Sequence, residues 1–98
     1  MKVMWCWRCR MDVPMLDEAE YAEIQVLHRA AFHAAGKRMH ERFLPVCEAY
    51  ERITGVAESN VNAIAHHRIS LYGRICQNCG KPLRTPRARF CAACGTAV

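Results

Sequence analysis

One stretch restricts this chain more than any other: "CQNCGKPLRTPRARFCAACG", Cys76 to Gly95. Two C-x-x-C pairs face each other across eleven residues, and each closing cysteine is followed by glycine. A C-x-x-C turn sets two thiolates on one side of an ion, and a glycine after it lets the backbone turn back with positive φ. Structural zinc takes four tetrahedral ligands, so Cys76, Cys79, Cys91 and Cys94 fill the shell. Catalytic zinc keeps a position free, with three protein ligands. A metal here therefore holds the chain together. Two disulfides would require an oxidising compartment, and two redox pairs would require a strand-to-helix setting that the sequence does not offer.

The residues Cys76, Cys79, Gly80, Phe90, Cys91, Cys94 and Gly95 resemble the zinc-ribbon families, in which two such knuckles hold one structural zinc. That resemblance covers the last quarter of the chain and implies a β-hairpin and knuckle element. With "CWRC" near the start and "HHRISLYG" before the ribbon, the whole pattern is also similar to small uncharacterised bacterial zinc-ribbon proteins. Neither likeness implies an activity, because a fold element does not specify a function.

The rest of the chain has little with which to build a core. Of 98 residues, 30 are large apolar side chains; 14 Ala and 7 Cys make up the remainder of the 52% apolar fraction. Chains of this size often recruit a metal, disulfides or a partner. The opening "MKVMWCWRCRMDVPM" has no apolar run of signal-peptide length, and no stretch reaches membrane-span length. A cytoplasmic, reducing environment and no membrane partner are the expectation, with thiols reduced or metal-bound.

Helical signals dominate the middle. Asp17 is placed to cap a helix, with Glu20 completing a capping box and Leu16 stapling onto Tyr21. Tyr21, Ile24, Leu27 and Ala31 recur at helical spacing, and Gly36 is the stop signal. In "LPVCEAYERITG", Pro45 suits a first turn, Val46, Tyr50 and Ile53 form a stripe, and Gly55 ends the helix. Residues 37–44 form a separate short helix or join this one through Pro45. Asn60 can cap a third helix through Val61, Ile64 and Ala65 towards Gly73, although "RISLY" alternates like a strand. The expected fold is one small, mainly helical domain over residues 1–98. It comprises a cysteine-containing segment over 1–15, helices over 16–73, and a zinc ribbon over 74–98 docked on the helical body.

A third pair, Cys6 and Cys9, lacks the glycine. Half a site needs two more ligands, and Cys47, His66 and His67 are the candidates for a second zinc. Adjacent histidines on a helix point about 100° apart, so one of them with Cys47 or a water is easier to build than both. Otherwise the two thiols pack beside Trp5 and Trp7, or form a redox pair with Arg8 alongside. The remaining histidines, His28 and His33 among them, read as surface or packing residues, and no catalytic triad is spaced in the sequence.

Charge is uneven. Residues 1–58 carry 8 basic and 9 acidic groups, residues 59–98 carry 6 basic and none acidic. Lys81, Arg84, Arg87 and Arg89 crowd one loop, which suits phosphate contacts but offers no base-reading residues. The expected function is a non-enzymatic zinc-binding module serving another protein, with Trp5, Trp7, Tyr72 and Leu83 as candidate anchors. Weak nucleic-acid binding through the basic loop and thiol redox chemistry at Cys6/Cys9 are the alternatives.

Overall fold

A computed structural model describes residues 1–98. The chain is drawn out into a body of 51 × 23 × 22 Å, because three small cores follow one another rather than merging into one.

The first core belongs to an antiparallel hairpin, β1 (Lys2–Cys6) and β2 (Met11–Met15), paired from Lys2 opposite Met15 to Cys6 opposite Met11. Both strands bury alternate residues, so Met4, Cys6, Val13 and Met15 face inward, against Ile69 and Tyr72. Period-two alternation is what a sheet with one wet face requires.

The second core lies between helices α1 (Glu18–His33), α2 (Met39–Thr54) and α3 (Val61–His66). Asp17 and Glu20 form the expected capping box, each side chain accepting from the other's backbone N–H at 2.8 and 2.9 Å. Ile24 and Ala31 are buried, and Tyr21 and Leu27 pack beside them. α1 ends at His33, three residues before Gly36. Its last carbonyls are held by Arg42, which donates to Ala31 at 2.9 Å and Phe32 at 2.8 Å, answering the unpaired carbonyls of a helix end. Residues 39–54 form one helix that runs through Pro45, so the joined alternative is the observed one. The proline forgoes its bond to the Glu41 carbonyl, a loss that burial of Phe43, Val46 and Tyr50 on either side offsets. Gly55, in the left-handed region, closes α2.

α3 stops at His66, and "RISLY" forms a 3-10 turn (Ile69–Leu71) instead of a strand. Its backbone is fixed to the hairpin exit: Leu16 N–H donates to the His67 carbonyl at 2.8 Å and Ile69 N–H to the Leu16 carbonyl at 2.9 Å. Glu18 reinforces the joint, accepting two bonds from the Arg68 guanidinium and one from Ser70. Those donors hold its carboxyl at about 2, well below the ordinary carboxylate value. The pair is exposed to solvent and contributes little to stability.

The third core is Cys76, Leu83 and Cys91 with Ala88 beside them. Here the expectation of a mainly helical body carrying a β-hairpin ribbon is corrected. Residues 74–98 contain no strand, only isolated bridges between Ile75 and Pro82 and between Phe90 and Ala97. The one two-stranded sheet lies at the other end of the chain, so the fold is a mixture of helix and sheet. Pro82 and Pro86 remove ladder donors from the loop, and each knuckle returns the chain before a second bridge can form.

Gly73 has a packing role rather than the expected helix-stop role. It donates to the Leu83 carbonyl at 2.8 Å, and a Cβ there would lie 2.5 Å from the Thr85 carbonyl oxygen and 2.8 Å from Leu83 Cβ. Gly73→Ala is expected to cost about 2–3 kcal/mol, since backbone has to move to admit the methyl group. The denaturant midpoint measures it.

Candidate metal centres

Three turns in this chain have one design. In each C-x-x-C the carbonyl of the first cysteine accepts the N–H of the residue after the second cysteine: Arg10 to Cys6 at 2.8 Å, Gly80 to Cys76 at 2.8 Å, and Gly95 to Cys91 at 2.7 Å. The donating residue has positive φ every time, 56°, 79° and 77°. The first cysteine of each pair is buried and the second exposed. The Cys6–Cys9 turn is thus a knuckle of the same build as the other two, with arginine where they have glycine. Arg10 is the chain's one non-glycine residue with positive φ. The left-handed region costs a side chain about 1–2 kcal/mol, partly offset by the looser unfolded chain of glycine. Arg10→Gly is therefore expected to stabilise the fold by about 0.5–1 kcal/mol, read from the thermal midpoint.

Cys76, Cys79, Cys91 and Cys94 come together with all four sulfurs within 4.8 Å of one another. Across the two knuckles, Cys76 and Cys94 stand 3.7 Å apart and Cys79 and Cys91 3.5 Å. Four thiolates around zinc at about 2.3 Å would lie about 3.8 Å from one another, so the spacing suits a tetrahedral ion. It is far beyond the roughly 2.05 Å of a disulfide. The thiols differ in acidity. The Asn78 side chain and Thr96 bring Cys94 down to about 5. Cys79 is pushed up to about 11: the Lys81 N–H opposes the shift, and the neighbouring cysteines drive it. A cluster in which one thiolate forbids another gains most from a divalent cation that neutralises both.

The second group is Cys6, Cys9 and His67, whose ligand atoms also lie within 4.8 Å of one another. Cys9 N–H points at Cys6 Sγ, 3.4 Å away, and Cys9 Sγ lies 3.4 Å from His67 Nε2. Of the two candidate histidines, His67 is the one brought in. It follows α3, and the bridge to Leu16 turns it inward, where it is 2% exposed. His66 contributes its carbonyl to the Tyr72 hydroxyl at 3.0 Å, and its ring does not join the group. Cys47 does not join either; its sulfur faces the Ser59 carbonyl at 3.9 Å.

Tyr50 sets the tautomer of His67, a role the sequence did not suggest. Its hydroxyl meets His67 Nδ1 at 3.0 Å and the Pro14 carbonyl at 2.6 Å. A carbonyl can only accept, so the single hydroxyl proton goes to Pro14, and Nδ1–H donates to the hydroxyl oxygen. Nε2 is left as a lone pair facing the two sulfurs. Burial lowers the imidazole below its ordinary value, which keeps it neutral, and raises Tyr50 to about 12.

Acidity in the N-terminal pair runs opposite to what thiol exchange needs. Burial opposes ionisation of Cys6, but the N–H groups of Cys9 and Arg8 bring it below the ordinary thiol value, while it is fully buried. Exposed Cys9 is pushed up by burial of its sulfur and by Cys6. A reactive thiol must be both ionised and accessible, and here the two properties fall on different residues.

The basic loop is partly engaged within the fold. Lys81 Nζ sits 4.1 Å from the centre of the Trp5 ring, and the Arg84 guanidinium lies 5.7 Å from that of Trp7. Trp7 Nε1 donates to the Pro82 carbonyl at 2.9 Å. These contacts dock the N-terminal knuckle on the C-terminal segment, and they leave Arg87 and Arg89 exposed in the loop. Leu83 is core, 2% exposed, and so is no surface anchor. Trp5, Trp7 and Tyr72 are half-buried. No helix is long and apolar enough to cross a membrane. Compared with known protein families, curated proteins and solved structures, the chain matches none.

Proposed function

We propose that this chain is a non-enzymatic zinc-binding module, in which a structural zinc held by Cys76, Cys79, Cys91 and Cys94 keeps residues 74–98 folded, and that the module serves another protein. The observation that carries the reading is the convergence of four sulfurs from two facing knuckles, which leaves no coordination position for a substrate. The small core beside them supports a structural role, because Pro82, Leu83 and Ala88 bury too little to order a segment of this length. A protein partner is favoured over nucleic acid because Lys81 and Arg84 lie against tryptophans, while Phe32 and Met39 stand 62% and 71% exposed on the helices. The order of thiol acidities at Cys6 and Cys9 weighs against a redox role.

Elemental analysis of the purified protein tests the metal, with Cys79→Ser expected to lose one zinc equivalent. A variant with undiminished zinc would overturn the assignment. Titration of labelled DNA and RNA at several ionic strengths tests the partner. Weak or absent binding at low salt is expected, whereas tight binding falling steeply with salt would put nucleic acid in the protein's place.

A further inference from the structure

We propose that Cys6, Cys9 and His67 form a second metal site, for zinc or a similar thiophilic divalent cation, whose fourth coordination position is open to solvent and takes an exchangeable external ligand. The three side chains are separate from the four-cysteine cluster, so the two assignments stand or fall independently.

Three observations build the site. The first is the turn itself. Cys6 to Arg10 repeats the hydrogen bond, the positive φ and the buried-then-exposed cysteines of the two knuckles that make up the four-sulfur cluster. It does so at the cost of placing arginine in the left-handed region, where a hairpin turn has easier choices. The second is the orientation of His67. Histidines that bind metals donate their other ring N–H to a fixed acceptor, which sets the tautomer and aims the lone pair. Tyr50 and the Pro14 carbonyl supply that arrangement on Nδ1, and Nε2 faces Cys9 Sγ at 3.4 Å. Zinc bound to one sulfur and one imidazole nitrogen would set those atoms about 3.5 Å apart.

The third observation concerns what is missing from the ligand set. Two sulfurs and one nitrogen are all the ligand atoms that gather here. The Tyr72 hydroxyl donates to the His66 carbonyl, and neither Cys47 Sγ nor the Glu58 carboxylate gathers with the other three ligand atoms. A tetrahedral ion bound by these three keeps one vertex for a ligand from outside, and Cys9 at the surface places the site within reach of solvent. Three protein ligands with a free position is the arrangement in which zinc exchanges water for a thiolate, an imidazole or a carboxylate. With one ligand fewer than the four-cysteine centre, this ion is also the first that a chelator removes.

Cobalt(II) substitution tests the proposal, because its visible bands report coordination. The wild-type protein is expected to take up two equivalents, and Cys9→Ala one, with circular dichroism of the variant unchanged. Added imidazole is expected to shift the visible bands of the wild-type protein and to leave those of Cys9→Ala as they were. A Cys9→Ala variant that folds and binds as many equivalents as the wild type would overturn the site. A wild type that binds two but whose spectrum ignores imidazole would overturn the open position. Should Cys9→Ala fail to fold, the wild-type stoichiometry and its response to imidazole decide both points, with His66→Ala, expected to keep two equivalents, as the control for the neighbouring ring.

Discussion

Cys91→Ser is expected to release one zinc equivalent and unfold residues 74–98, while α1, α2 and α3 keep their structure. The reason is the size of the core that the C-terminal segment owns. Its buried residues are Cys76, Pro82, Leu83 and Cys91, two of which belong to the four-sulfur cluster, and its backbone pairing consists of isolated bridges. Ordering this segment costs backbone entropy at every residue, and burial of Leu83 and Pro82 is too small a return to offset it. A zinc bound by the four thiolates would couple its binding free energy to the folding of the segment. Serine in place of a fully buried thiolate removes a ligand without changing the shape of the site. Limited proteolysis should then cut within 74–98, with the helical circular dichroism retained, since the helical core shares no residue with the third core. Undiminished protease resistance in the zinc-depleted variant would show that packing alone holds the segment.

How much of this architecture could be read in advance depended on the range of the interaction. Helix ends are local, and so Asp17 with Glu20, Asn60 and Gly55 mark the observed boundaries. The four C-terminal cysteines were legible because two facing C-x-x-C turns, each followed by glycine, carry their own spacing whatever surrounds them. The N-terminal hairpin was the main omission. Its alternation is present in "KVMWC" and "MDVPM", yet each strand has five residues, and the turn between them carries a cysteine pair instead of the usual hairpin residues. The ribbon hairpin erred the other way: two knuckles imply a close approach of two chain segments, but prolines in the intervening loop prevent a ladder. Choosing between His66 and His67 required the pairing of Leu16 with residues 67–69, which joins positions some fifty apart and leaves no periodic trace. Arg10 was readable in principle, as the residue occupying the glycine position of the other two knuckles.

Tyr50→Phe should be the most damaging single-atom deletion in the body of the protein. Tyr50 is 1% exposed and His67 2%, and the hydroxyl between them is the only polar link from α2 to both the hairpin and the segment after α3. Phenylalanine keeps the ring packing and removes the oxygen, leaving the Pro14 carbonyl and His67 Nδ1–H without this partner. A buried polar group stripped of its partner costs about 1–3 kcal/mol, so the pair should cost about 2–4 kcal/mol in all. The whole stability of a small domain is on the order of 5–15 kcal/mol. By the usual scaling the thermal midpoint should fall by on the order of 10 °C. The asymmetry of hydrogen-bond energetics adds a sharper check. Replacing both partners removes the orphaned imidazole, so Tyr50→Phe combined with His67→Phe should be less destabilised than the sum of the two single changes by at least about 0.5 kcal/mol. Strict additivity would mean that the hydroxyl and the imidazole do not interact, and the aiming of Nε2 would then have no structural cause.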